Sequence, residues 1–377
     1  NVTTTTLADG AVTAIKLNTM SATSGQVLKY NGAAWGPANV APVAITTQPK
    51  AFSWSRRQDT NGDPNGPANV TSIAPLSVTA TSTGALTYQW YQKSANRNAP
   101  DTKLSDATSA TYTPVVDAWG MKSYYCVVKN GNDSVVSTIA DVAIGCGAKT
   151  NQGRWLRFMC YNLGADTNLD PFTYKSISDS TSKDIKGWLF QWGRIADGHQ
   201  WRSSDTITGP YNSTANIEVP SGDKMYGKFI KNPNMATFFD WRTPQYDIAW
   251  RNYVGDGRMP CPSGWRIPTS DEWGSIYREG SSYGMPVAAT ANTWAWTTSG
   301  FQLKPDGTIV TLFLPAAGYR DEMGRFTDVS ATGLYWTSES APGFAAAPIF
   351  NEDRVRLVSS GSRVCGFSVR CISETYD

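Results

Sequence analysis

Histidine occurs once in this chain of 377 residues, as His199, and the six cysteines include no C-x-x-C pair. A zinc site made of two cysteines and two histidines, or of three histidines, therefore cannot be assembled within one chain. Charged residues make up only 17% and the formal net charge is +2. No field exists to gather nucleic acid or an anionic membrane surface, so neither is expected as a partner. Long apolar runs are missing as well, which excludes a bilayer-spanning helix. The one G-x-S-x-G match, Gly280 to Gly284, follows a predicted helix instead of a strand, and the only histidine precedes it. A nucleophile elbow needs the opposite arrangement. Glu-Pro-Asn, Gln-Pro-Asp and Trp-Asn-Asp, the triplets of calcium-dependent sugar binding, do not occur, and no cofactor is expected. The chain opens on Asn1 with neither Met nor a signal peptide, which points to an internal or processed start.

Aromatic residues are plentiful: 15 Trp, 17 Tyr and 13 Phe, set among 33 Gly and 21 Pro. With long amphipathic patterns scarce, the composition describes a loop-rich, mostly β, extracytoplasmic protein. Cys126, Cys146, Cys160, Cys261, Cys365 and Cys371 allow 15 disulfide pairings, and the sequence does not choose among them.

Three segments follow one another, at 1–43, 44–146 and 147–377. The first is small, polar and β-leaning, and it must bury Val12, Ile15, Leu17, Val27 and Leu28 against something else. Its stretch ADGAVTAIKLNTMSATSGQVLKYNGAAWGPA resembles the stalk repeats of Bacteroidetes surface fibres and phage tail fibres. The resemblance implies a trimer. In the second segment, LSVTAT, LTYQWYQ, ATYTPV, SYYCVVKN and STIADVAI read as short strands of an antiparallel sandwich. Trp90, and Tyr124 two residues before Cys126, resemble the core Trp and tyrosine corner of immunoglobulin-like domains. Val78 stands where a partner for Cys126 would be expected, leaving Cys126 as a buried free thiol. DTNGDPNG at 59–66 places Pro64 and Val70 where a calcium EF-hand loop needs Gly and Glu, so an Asn/Asp/Gly turn is preferred.

The third segment carries FMCYNLGA, WLFQWGRIADGHQ, CPSGWRIPTSDEW, LPAAGYRD, YWTSES and GFSVRC in that order. Together these motifs resemble the Fibrobacter succinogenes major paralogous domain, a family of Bacteroidetes and Fibrobacteres surfaces. The resemblance implies an α+β C-type-lectin-like fold, related to the formylglycine-generating enzyme and to retroelement-diversified adhesins. The residues agree. PTSDEW predicts a capped helix start, with Trp273, Ile276 and Tyr277 along one face. FQLKPDGTIVTLFLPAAGYR predicts a hairpin turned at Pro305-Asp306-Gly307, with Leu312 and Leu314 to one side. Arg266 is expected to donate to carbonyls or a carboxylate. The pairs Asp271-Glu272, Asp321-Glu322 and Glu352-Asp353 are adjacent in sequence, point apart, and read as caps or turns.

A formylglycine-generating enzyme would require two reactive thiols in one cleft. Cys365 and Cys371 share a strand face but lie about 20 Å apart if extended. The structural reading instead bonds Cys371 to Cys261, clasping the terminus, and Cys146 to Cys160. Between YWTSES and GFSVRC the composition follows no core periodicity. In retroelement-diversified adhesins the variable residues occupy this portion. The resemblance thus points to Glu339, Ser340, Phe344, Asn351 and Glu352, with Asp353, Arg354, Arg356 and Ser362, as ligand-facing residues. The expectation is a non-enzymatic, mostly β, multidomain adhesin or receptor-binding protein. It has a fibre stalk, an immunoglobulin-like sandwich and a lectin-like tip. It would sit on a bacterial surface fibre or a phage virion and bind a surface glycan or protein receptor as a homotrimer. An enzyme of the formylglycine-generating type and a purely structural fibre cap are the alternatives.

Overall fold

The computed structural model describes residues 26–30, 35–39, 42–55, 73–94, 99–115, 120–131, 133–167, 169–172, 184–215, 218–233, 239–247, 250, 259–277, 292–357 and 359–374. The protein is mostly β, and the described residues include one α-helix, Ser270–Tyr277. Val12, Ile15 and Leu17, the turn at 59–66 and the Gly280 to Gly284 motif lie outside the described residues. Two compact units divide the chain: one of Asn1–Ala51, Ala74–Pro114 and Lys122–Asp141, the other of Phe52–Ile73, Val115–Met121 and Val142–Asp377.

In the first unit, Gln26–Tyr30, which contains Val27 and Leu28, pairs antiparallel with Trp35–Asn39. Thr87–Gln92 pairs antiparallel with Gly120–Asn130, setting Trp90 opposite Cys126. Strand geometry sends alternate side chains to opposite faces. Tyr124, Cys126 and Val128 accordingly enter the core beside Trp90. The Trp90 indole donates to the Ser109 carbonyl at 3.0 Å. On the other face Tyr125 stacks on Tyr91, ring centroids 5.3 Å apart, and its hydroxyl donates to Asp101. Cys126 is a free, buried thiol, and burial pushes its pKa up to about 11.

The second unit is built from many strands of two or three residues, most sharing few ladder hydrogen bonds. Its helix starts where the sequence places a cap. The Thr269 N–H donates to the Glu272 carboxylate at 2.8 Å and the Glu272 N–H to the Thr269 hydroxyl at 3.2 Å, a reciprocal box. Arg266 grips the same carboxylate with both terminal nitrogens, at 2.8 and 2.5 Å. Trp273, Ile276 and Tyr277 then pack against Phe158, Leu303, Leu312, Leu314, Tyr335 and Phe350. The 300–315 hairpin pairs Phe301 with Leu314 and Leu303 with Leu312, and Asp306 accepts from the N–H groups of Thr308 and Ile309 to close its turn.

A second core gathers Trp192, Trp241, Trp250, Trp265 and Trp336 with Phe190, Phe367 and Val369. Ring packing and indole hydrogen bonds replace part of the missing ladders. Trp192 donates to the Thr337 carbonyl, Trp241 to that of Trp192 and Trp336 to that of Phe190, at 2.9, 2.8 and 2.6 Å. Arg370 does the same work with a guanidinium, donating to Met159, Cys160 and Phe313 carbonyls and to the Asn162 side chain. Arg320 donates to the Gly324 and Ser204 carbonyls and stacks over Phe229 at 4.2 Å.

Disulfides Cys146–Cys160 and Cys261–Cys371 close segments of 14 and 110 residues. The longer one lies beside the pairing of Trp265–Arg266 with Ile372–Ser373, so it fixes the end of the described chain against the helix start. Loop-closure entropy predicts that replacing both cysteines of a pair by serine costs about 3 kcal/mol for the short loop and about 5 kcal/mol for the long one. Guanidinium unfolding of the two double variants should rank them in that order.

Candidate functional site

The C-terminal region singled out in the sequence folds into two small sheets. In the first, Ser340–Ala341 pairs with Phe344–Ala346, which pairs in turn with Ser360–Ser362. Gly361 sits where a Cβ would come within 2.2 Å of the Phe367 ring and 3.0 Å of Trp336. Any side chain there would push the strand off the aromatic core. In the second sheet, Ile349–Asn351 lies between Thr332–Leu334 and Arg354–Arg356.

Arg363, fully buried, holds the first sheet in place. Its Nη1 meets Asp240 Oδ2 at 3.2 Å and its Nη2 meets Asp247 Oδ1 at 2.6 Å. Nη2 also donates to the Ala341 carbonyl and Nε to that of Phe344. The guanidinium rests 4.6 Å over Trp192. Around this clamp, the Ser340 hydroxyl donates to the Asp247 carbonyl and the Ser362 hydroxyl to that of Phe239. The Phe344 ring packs on Phe239 with centroids 4.6 Å apart. Glu339 accepts from the N–H of Ser270 at the helix start. Glu339, Ser340, Phe344 and Ser362 are therefore half-buried and held by the fold.

The other candidates lie together on the hairpin at 349–356. The Asn351 side chain accepts from the N–H groups of Asp353 and Arg354, at 3.2 and 3.0 Å, and so closes the turn. Along the outgoing strand Val355 and Leu357 point into the core, while Arg354 and Arg356 face solvent. Glu352 and Asp353 are exposed at the tip. Among the described residues the charged ends of these four side chains meet no partner. The structure thus splits the nine candidates into a braced group and a presented group.

His199 lies fully inside. Its Nδ1 is 2.7 Å from Asp197 Oδ1, and its Nε2 accepts the Gln191 backbone N–H at 3.1 Å. Both ring nitrogens are engaged, which fixes a neutral tautomer and leaves neither to take a proton from a substrate. Burial pushes the imidazole down to about 3, aided by the Arg194 charge and opposed by Asp197. Burial works against an ionised Asp197 too, but hydrogen bonds from His199 and the Arg194 charge outweigh it and hold the carboxyl at about 2. Of the two thiols nearest in sequence to a reactive pair, Cys371 is bonded to Cys261. Cys365 is buried, and desolvation, with Glu322 and Asp321 adding, pushes it up to about 12. No group of three or more His, Cys, Asp or Glu suited to a metal occurs among the described residues.

A family model described as the Fibrobacter succinogenes major domain matches residues 161–373, more than half of the chain. The chain belongs to that family. Its members are cell-surface-associated paralogous domains. No curated protein matches the chain. The matched span of this major domain contains most of both cores, the Arg363 clamp and the 349–356 hairpin.

Sequence reasoning did not find Arg363, Asp240, Asp247 or the Arg194–Asp197–His199 cluster. The signal available was an arginine at each end of the apolar run from Val364 to Val369. An arginine flanking buried strand residues is a donor in need of acceptors.

Arg363→Met strands the Asp240 carboxylate in the interior and should cost about 3–5 kcal/mol of unfolding free energy, whereas Arg354→Ser on the exposed strand should stay within about 0.5 kcal/mol. His199 is held neutral with a folded pKa of about 3, below its ordinary value of 6.5. Its stabilising contribution is complete above that ordinary value and is lost as pH falls toward the folded one. The stability gap between wild type and His199→Gln should narrow by about 1.4 kcal/mol per pH unit between pH 6 and 4, as read by urea titrations.

Proposed function

We propose that this protein is an extracellular recognition protein, an adhesin or receptor-binding tip. It engages a surface glycan or protein through the hairpin at 349–356. The observation that carries this reading is the contrast between two neighbouring parts of one region. The loops around Arg363 are locked by hydrogen bonds to its buried guanidinium, while Arg354, Arg356, Glu352 and Asp353 stand outward with unengaged charges over buried Val355 and Leu357. A rigid base with free polar ends loses little conformational entropy when it binds. Rigid scaffolds carry function on such segments.

The placement of the histidine and of the free thiols supports recognition over catalysis. The chain's single histidine has both nitrogens committed, and its two free thiols are buried with raised pKa values. Two disulfides indicate an oxidising, non-cytoplasmic compartment. The N-terminal segment then serves as a trimerising stalk and the residues near 44–146 as an immunoglobulin-like spacer, on a bacterial surface fibre or a phage particle. Several tips acting together would raise a modest affinity at each hairpin into stable attachment.

The test is an array of glycans and bacterial surface preparations probed with the full chain and with an Arg354→Ser/Arg356→Ser double variant. The wild type should bind, and the variant should lose about tenfold or more in affinity while its circular dichroism is unchanged. Equal binding by both would remove the hairpin from the site, and binding by neither would leave a structural fibre cap. Sedimentation should give three chains per particle.

A further inference from the structure

Nearly all tryptophan side chains whose burial is described are buried or half-buried; Trp201 alone is exposed, at 51%. Among the described residues of the matched span the other exposed large apolar side chains are Tyr226 at 39% and Met323 at 36%. Trp201 and Tyr226 stand on two turns that touch. A Cβ on Gly198 would lie 3.3 Å from the Gly227 Cα and 3.8 Å from Trp201 Cζ3. Gly198 and Gly227 have φ of 112° and 71°, a left-handed region that suits glycine and allows the close approach. Tyr226 immediately precedes Gly227, so the Trp201 ring and the Tyr226 backbone border one contact.

Neither ring is exposed through slackness of its turn. Both neighbours of Trp201 are buried: Gln200 accepts the Gly198 N–H at 2.9 Å, and Arg202 donates to the Gly187 and Ala317 carbonyls at 2.7 and 3.0 Å. The Tyr226 turn is closed by Asp223, which accepts from the Tyr226 and Met225 N–H groups. Arg194 then ties the two turns together. It donates to the Met225 and Lys228 carbonyls on one side and to Asp197 on the other. Asp197 in turn accepts from the backbone and ring of His199. A buried cluster with no role at the hairpin thus anchors two outward-facing aromatics.

We infer that Trp201 and Tyr226 form a stacking platform for a neutral glycan chain, distinct from the 349–356 hairpin. An aromatic face is negative, and the C–H-lined face of a pyranose presents hydrogens of partial positive charge to it. The surroundings suit a sugar. Ser203, Asp205 and Lys224, within four residues of the two rings in sequence, are exposed, offering hydroxyl, carboxylate and ammonium groups of mixed sign that hydrogen-bond hydroxyls and do not select a charged ligand. A stable protein partner would need about 800 Å² on each side around an apolar centre. Two exposed rings do not supply that, whereas each offers a face of the size of one sugar ring.

The probes are cellohexaose and β-1,4-galactotetraose, both uncharged and β-linked, titrated calorimetrically into the full chain. At least one should bind saturably, and Trp201→Ala or Tyr226→Ala should weaken it about tenfold. Trp201→Phe, which keeps an aromatic face, should stay within about threefold of wild type. The Arg354→Ser/Arg356→Ser variant is titrated with the same two probes, which reads which of the two sites holds them. Iodide quenching of tryptophan fluorescence should fall on saturation, because Trp201 is the exposed indole among those whose burial is described. Absence of binding to either sugar overturns the inference, as does affinity unchanged in both alanine variants. Loss only in the hairpin variant would assign sugar binding to the hairpin instead, and a drop in oligomeric state with Trp201→Ala would assign the platform to a second copy of the chain.

Discussion

A buried backbone must have its carbonyls satisfied, and this constraint governs the second unit more than any other. Strands of two or three residues provide few ladder bonds, so most of the interior chain is irregular. An irregular buried chain is stable only where side chains supply donors. Arg202, Arg320, Arg363 and Arg370 each reach at least one main-chain carbonyl, and the indoles of Trp192, Trp241 and Trp336 cap three more. A guanidinium fits this task because it carries five donors in a fixed plane and stays charged. Its desolvation is offset by several carbonyl dipoles and by aromatic faces, such as Phe229 under Arg320 and Trp192 under Arg363. Burial and the neighbouring Arg202 charge still lower the Arg320 pKa to about 10, which leaves it charged at neutral pH.

The same arrangement determines where recognition can occur. Loops fastened from below by arginines, indoles and two disulfides keep one shape, and the side chains they present are preorganised. The residues doing the fastening are lost to the surface. Glu339, Ser340, Phe344 and Ser362 share a region with Arg354 and Arg356, yet the first four face partners inside the molecule. Membership in a variable-looking segment therefore does not make a residue available; the direction of its side chain does.

Much of the local structure was legible in the sequence because it depends on near neighbours. The Thr269/Glu272 cap, the apolar face of Trp273, Ile276 and Tyr277, and the turn at Asp306-Gly307 follow from residues within a few positions of each other. Alternation in 123–130 placed Tyr124, Cys126 and Val128 on one face for the same reason. The candidate site was legible only in part. Asn351, Glu352, Asp353, Arg354 and Arg356 form a local hairpin whose outward face is set by period two. Ser340 and Ser362 meet carbonyls 93 and 123 residues away, and no local pattern encodes that.

The sequence by itself determined the mostly β character, the family and the turns and caps, because composition and short-range periodicity are properties of neighbouring residues. Only the tertiary structure decided which cysteines meet among 15 possible pairings and which arginines turn inward as carbonyl donors. It also decided that one tryptophan of the described set faces solvent. These outcomes depend on distances between residues far apart in the chain, and such distances exist only once the chain has closed on itself.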